Sequence, residues 1–271
     1  MQRDLPIAIA GAGLGGLVTA LALAREGFSR IDVYERSPVL AEVGAGLTVG
    51  PNSSRPLIDL GLGPGLAARA DAPSAGMTRH WRTARVLMNS LRGRALLDKY
   101  GAPYYLIHRA DLLDLLVEGC AAQPAVHIHT GHALQSVAQD GDGVTLGFEH
   151  GVTARAAVLI GCDGVKSVVR REAFVGDAPQ FSGYIAGRAL LPVERPDHKL
   201  DPPAQLFIGT DHMFMRSHVR PGALTHVVAI ARARDAAWTE EGWRLPPPVA
   251  ELASHYAGWH EDIIAAIQRI P

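Results

Sequence analysis

Charge is absent from Ile7 to Ala24, a run of 18 residues dominated by glycine, alanine and leucine. A run of that length sits at the lower limit for a membrane-spanning helix. Gly11, Gly13, Gly15 and Gly16 fall near its middle, and each would cost a helix about 1 kcal/mol relative to alanine. A secretory leader needs a basic start, and here Arg3 is offset by Asp4. The pattern instead predicts a short buried strand over "LPIAIA", a tight turn at "GAGLGG" and an amphipathic helix over "LVTALALAREG", closed by Gly27. A second strand, "RIDVYER", ends in Glu35.

Further along, "SPVLAEVGAGLTVGPNSSRPLIDLGL" reads as a glycine-rich loop, a short extended piece and a helix beginning near Asn52. "GLGPGL" from Gly61 to Leu66 imitates a phosphate loop, but no strand precedes it and Pro64 interrupts it, so an inter-helix turn is expected. Residues 72–99 are mixed, with short-strand character. "YYLIHRADLLDLLVEGCAA" gives an extended entry, Arg109 and a helix with apolar positions at Leu112, Leu113, Leu115, Leu116 and Val117. The strand "AVHIHTG" leads to three extended segments, with "DGDG" at Asp140–Gly143 marking a hairpin. The last of them, "AAVLIG", runs into Asp163-Gly164 and a helix, the kind of strand end where α/β sheets bind ligands. An Asp-Gly turn capping that helix is the simpler alternative. Beyond Gly176 the alternation predicts antiparallel strands, then two helices over "PPVAELASHYAG" and "EDIIAAIQRI".

The turn fits G-x-G-x-x-G at Gly11, Gly13 and Gly16. Gly11 allows the sharp turn, Gly13 the approach of a pyrophosphate, and Gly16 close helix–strand packing, with the helix N-terminus attracting phosphate. Glu35 lies 24 residues after Gly11, near the spacing for a carboxylate that accepts from ribose hydroxyls and repels a 2′-phosphate. Composition adds mainly exclusions. A net charge of −1 gives no nucleic-acid surface. Cys120 and Cys162 have no metal or disulfide-framework spacing, so a reducing cytoplasm is the expected setting. His127, His129 and His132 look metal-like, but their placement on a strand fits half-exposed residues better, and no metal is expected.

Four stretches in one order, "GAGLGG" with "YER", "EVGAGLTVGPN", "HRADLLDLL" and "CDGVKSVVR", resemble the single-component FAD-dependent aromatic hydroxylases, the salicylate hydroxylase-like branch of the group A flavoprotein monooxygenases. "AGWHEDIIAAI" fits as well, so the resemblance spans essentially the whole chain. It implies an α/β fold: a Rossmann-like FAD-binding domain (residues 1–72 and 100–175) with an inserted β-meander, and an antiparallel-sheet substrate domain (73–99 and 176–271). It implies FAD at Gly11, Gly13, Gly16 and Glu35, with Arg36 by the adenine. Val43, Gly44 and Gly46 would line the flavin path, and Arg109 would reach FAD from its helix start. Asp163 and Gly164 would support the cofactor, a motif also associated with the nicotinamide donor.

The implied chemistry is hydride transfer from NADH or NADPH to FAD, then reaction of reduced flavin with O₂ to a C4a-hydroperoxide that hydroxylates a small aromatic such as a hydroxybenzoate. The cofactor does that chemistry while the protein orients and excludes water. His218 and His212 are the candidate bases for a phenol, although each also reads as an ordinary strand histidine. One departure stands out. The family's second flavin motif, Gly-Asp followed by small residues after the substrate sheet, is absent; "GDAPQF" at Gly176 imitates it in the wrong place. The chain therefore reads as an N-terminal portion, and apolar sheet surface left exposed would invite pairing with another chain, a homodimer included. The competing expectations are a non-catalytic FAD- or nucleotide-binding fragment or degenerate homologue, and a reductase or epoxidase on a related scaffold.

Overall fold

The computed structural model describes residues 2–41, 46–174, 178–194, 200–233 and 249–270. In chain order it runs β1 (Ile7–Ala10), α1 (Leu14–Arg25), β2 (Ile31–Tyr34), β3 (Gly46–Val49), α2 (Pro51–Leu57), α3 (Gly63–Arg69), β4 (Ala75–His80) and β5 (Val86–Leu91). Next come α4 (Gly93–Tyr100), β6 (Tyr105–His108), α5 (Arg109–Ala121), β7 (Val126–His129), β8 (Leu134–Asp140), β9 (Gly143–Phe148), β10 (Thr153–Ala156) and β11 (Val158–Gly161). The rest is α6 (Val168–Ala173), β12 (Tyr184–Pro192), β13 (Ala204–Ile208), β14 (His212–Val219), β15 (Leu224–Arg232), α7 (Val249–His255) and α8 (Glu261–Gln268). Among the described residues, no helix is long and apolar enough to cross a membrane.

Two compact units divide the chain, residues 1–42, 60–62 and 112–180 forming the first and residues 43–59, 63–111 and 181–271 the second. The expected boundaries placed residues 43–72 and 100–111 with the glycine turn, and of these the first unit holds 60–62. β3 and β6 pair with each other as an antiparallel ribbon, Gly46 opposite His108, and Asp71 bridges Leu106. Those pairings tie the segment to itself, and β6 also packs on the strand at His212–Val219.

The first unit is built on a parallel sheet of order β11-β1-β2-β7. All four residues of β1 are buried, as a parallel strand covered on both faces requires. Alternation then decides what each face meets. Ala8 joins Val144, Leu146, Phe148 and Ala156 in one cluster, so the β8–β9–β10 meander covers that face. Leu17, Ala20 and Leu21 give α1 its buried stripe, and burying a leucine or isoleucine here contributes roughly 1.5–3 kcal/mol. The meander turns where expected, Asp140 pairing with Gly143 across a two-residue loop, and Gly143 takes φ +144°.

The second unit holds a six-stranded sheet of order β12-β15-β14-β13-β4-β5, antiparallel except where β13 runs parallel to β4. Register sorts its side chains. Leu191, Phe207, Phe214, Val227 and Ala229 share one face and pack against Leu252, Tyr256, Ile263 and Ile267 of the closing helices. The fully buried Tyr256 donates its hydroxyl to the carbonyls of Met213 and Ile230 at 2.9 and 3.0 Å. The opposite face carries Arg188, His226, Val228, Met215 and Leu206, none of which belongs to that cluster. The turn at Gly61–Leu66 is the expected inter-helix kink: Gly61 takes φ +87° between α2 and α3. α4 was not foreseen within the mixed stretch. It buries no residue, and its marks are local, an Arg94–Asp98 ion pair at 2.7 Å and a left-handed C-cap at Gly101.

Candidate functional site: a glycine turn and two strand ends

In the first unit, the turn between β1 and α1 is set by two glycines with nowhere to put a side chain. Gly11 takes φ +98°, and a Cβ there would stand 2.5 Å from the Cys162 carbonyl oxygen. A Cβ on Gly16 would overlap the Gly11 carbonyl oxygen. Backbone bonds fix the crossing, Gly11 donating to the Tyr34 carbonyl and Cys162 to the Ala10 carbonyl, each at 2.7 Å. Gly13 is different, because a Cβ there would meet nothing within 4 Å. The turn therefore has an open floor at Gly13, next to a helix N-terminus that no side chain caps and whose first turn has no acidic residue. That geometry fits a pyrophosphate, which needs free N–H groups and close backbone approach.

Glu35 is tied into the same turn. One carboxylate oxygen accepts from the Ala12 N–H and the other from the Ser37 N–H, both at 2.9 Å. An ionised carboxylate has about four acceptor sites, so each oxygen keeps one for a ribose hydroxyl. The spacing of Gly11 and Glu35 indicated the carboxylate; nothing in the sequence showed that it also receives the turn's own N–H. Arg36 follows as an exposed side chain.

At the end of β11, Asp163 accepts from the Ser167 hydroxyl at 2.5 Å and from the Val168 and Val169 N–H groups at 2.6 and 3.2 Å. Gly164 beside it takes φ +85°. Asp163 is thus a cap of α6, the simpler of its two expected roles, and a ligand role must add to that. Asp163→Asn keeps one acceptor oxygen but puts an NH₂ donor among three donors. It is expected to cost about 1 kcal/mol of stability, as lost caps do, read as a lowered urea midpoint. An unchanged midpoint would show that the caps do not depend on the carboxylate.

Cys162 is held as a neutral thiol, its pKa raised mainly by burial, and burial pushes the Cys120 thiol up to about 11. Both are free. His129 pairs with Asp32 at 2.7 Å and stacks on Tyr34, while His127 is exposed. Among the described residues, no group of three ligating side chains can hold a metal ion.

The remaining positions belong to the second unit, except Val43 and Gly44, which lie outside the described residues. Gly46 opens β3, and a Cβ there would overlap the His226 ring. Arg109 opens α5. His212 and His218 sit at opposite ends of β14, six residues and so roughly 20 Å apart, and the structure does not bring them together. Both lie on the face that α7 and α8 cover, since His212 rests edge-on against Tyr256 and His218 shares the parity of Phe214. The buried His218 accepts from the Leu200 N–H through Nε2 at 3.0 Å.

Sequence reasoning passed over His226. It is 3% exposed, and burial, with smaller contributions from Arg188 and His108, holds its pKa down to about 4. Because the folded pKa is depressed, the folded state binds fewer protons than the unfolded chain between pH 4 and about 6.5, so stability falls as pH drops through that window. His226→Phe is expected to flatten the dependence by up to about 1.4 kcal/mol per pH unit, checked by urea unfolding at pH 4.5, 5.5 and 7. Parallel curves for parent and variant would contradict the buried neutral histidine.

A glycine turn with an open floor, a carboxylate bound to it and an Asp-Gly strand end define a dinucleotide-binding α/β fold. Residues 4–205 match the FAD binding domain family. The chain belongs to that family. It is 37% identical over 262 residues to 3-amino-4-hydroxybenzoate 2-monooxygenase PtnB3 of Streptomyces platensis, covering 96% of this chain and 64% of that protein. It is 32% identical to 6-hydroxynicotinate 3-monooxygenase of Pseudomonas fluorescens, covering 98% of this chain and 69% of the relative. The fold also matches Klebsiella pneumoniae HpxO complexed with FAD and uric acid, with TM-score 0.81, 23% identity, and coverage of 98% of this chain and 65% of that one. The chain thus spans a little under two thirds of the length of the first of these relatives.

Proposed function

We propose that the chain is part of an FAD-dependent, NADH- or NADPH-consuming monooxygenase that hydroxylates a small aromatic ring bearing a hydroxyl and an acidic substituent. The observation that carries the reading is the glycine turn with Glu35 bound to it. Relatives named for 3-amino-4-hydroxybenzoate and 6-hydroxynicotinate support the ring class. When bound, FAD supplies hydride acceptance and activation of O₂.

The protein's own part is to hold and orient. Gly11 and Gly16 close the turn, Gly13 leaves the pyrophosphate its floor, and Glu35 accepts from the ribose while keeping out a 2′-phosphate. Arg36 lies by the adenine. Val43, Gly44, Gly46 and Arg109 are assigned to the flavin by resemblance alone. Asp163 and Gly164 serve the cofactor in addition to capping α6. Neither His212 nor His218 is given the base, because both lie on the helix-covered face of the sheet. Two free thiols support a reducing, cytoplasmic setting.

The test is to incubate the purified chain with FAD, NADH or NADPH, air and a panel of hydroxybenzoates. Hydroxylated product rising with the aromatic present supports the reading. Oxidation of NADH that no aromatic affects and that yields only peroxide would favour the alternative, a flavin-binding piece without hydroxylase activity.

A further inference from the structure

β15 is apolar from Val227 to Ala231 and buried through most of its length. His226 stands at the start of that run with its Nε2 shut off from solvent and without a hydrogen-bond partner. Leaving a buried polar group unmade costs about 1–3 kcal/mol, and native folds seldom keep one without a use. Register places His226 beside Ser217 on β14 and Leu190 on β12, on the face away from α7 and α8. Its ring packs against Gly46, so no side chain stands between it and the β3 backbone.

The charges that reach it are basic. After burial itself, Arg188, on the same face two residues along β12, and His108, opposite Gly46, are the basic groups that hold the ring's proton affinity down. At neutral pH the imidazole is uncharged, offering one N–H donor and one acceptor. A cation would be repelled by Arg188, and an apolar group would leave Nε2 unmade. An oxygen substituent, anionic or strongly accepting, meets both conditions.

We propose that His226 is a substrate-binding residue, its Nε2 bonding a carboxylate or phenol oxygen of the aromatic ring on the helix-free face of the six-stranded sheet. This rests on the hydroxylase reading and adds the residue that orients the ring. Gly46 is required to be glycine because the histidine ring occupies the space of its Cβ. Since Nε2 is closed to solvent, the ligand enters by displacing the packing over the ring.

The experiment titrates the FAD-loaded chain with 3-hydroxybenzoate, following the flavin absorbance change and, separately, equilibrium dialysis. FAD affinity is measured first for the parent, His226→Phe and His226→Gln. Phenylalanine keeps the ring's shape and removes the polar atom, so the fold survives; glutamine restores a donor and an acceptor. The expected result is FAD affinity within about twofold in all three, 3-hydroxybenzoate affinity at least about tenfold weaker in His226→Phe, the effect of one lost bond to a charged group, and recovery to within about threefold in His226→Gln. Parent-like affinity in His226→Phe with FAD in place would overturn the assignment and leave the hydroxylase reading standing. A parent chain that binds no FAD would overturn both.

Discussion

Gly16→Ala is expected to abolish measurable FAD binding and to lower stability by about 2 kcal/mol, within the 1–3 kcal/mol typical of overpacking a filled site. The added Cβ has no room, since the Gly11 carbonyl oxygen already occupies its position. Either α1 moves off β1 or the turn opens, and both disperse the N–H groups that face the open floor at Gly13. Gly15→Ala, one residue earlier, is the control. A Cβ there meets nothing within 4 Å, and alanine's helix propensity should stabilise the first turn of α1 by up to about 1 kcal/mol. Urea unfolding and an FAD titration on the two variants decide the matter. Equal destabilisation by both would mean that the close packing at Gly16 does not set it apart from Gly15, and would contradict this reading of the turn.

Glu35→Gln is expected to weaken FAD binding about as much as Glu35→Ala, at least tenfold in each case. The carboxylate accepts from the turn on one oxygen and from Ser37 on the other. An amide cannot accept on both sides, so glutamine sets an NH₂ donor against one of two backbone N–H groups. A charge-assisted bond of this kind contributes about 1.5–3 kcal/mol, which is tenfold or more in affinity. Glutamine that behaves like glutamate in the FAD titration would show that FAD binding needs no negative charge at this position and that the link to Ala12 is incidental.

The glycine turn was legible because its constraints are local. The spacing of Gly11, Gly13 and Gly16 sits between a short apolar run and a helix-period run, and the three demands are backbone ones that only glycine meets. The Asp163-Gly164 strand end was legible for the same reason, together with its alternative as a helix cap. What could not be read was which face of the six-stranded sheet the closing helices cover. Alternation says that His212 and His218 share a face and that Met213 and Met215 share the other. It does not say which of the two meets Tyr256 and Ile263. That depends on contacts between residues far apart in sequence. His226 was hidden differently: in "LTHVVAIA" it reads as a strand histidine, and its lack of a partner is a property of the packed state alone. The pairing of β3 with β6, in which Val49 lies opposite Tyr105 and 56 residues from it, carries no local sign in the sequence.

The most direct test of the central claim, that the turn and Glu35 receive the ADP half of FAD, is calorimetric titration of the chain with FAD in the presence and absence of excess ADP. The account predicts one FAD per chain, with ADP competing and riboflavin failing to compete at the same concentration. Binding of FAD that ADP leaves untouched while riboflavin displaces it would place the cofactor's anchor elsewhere and contradict the account.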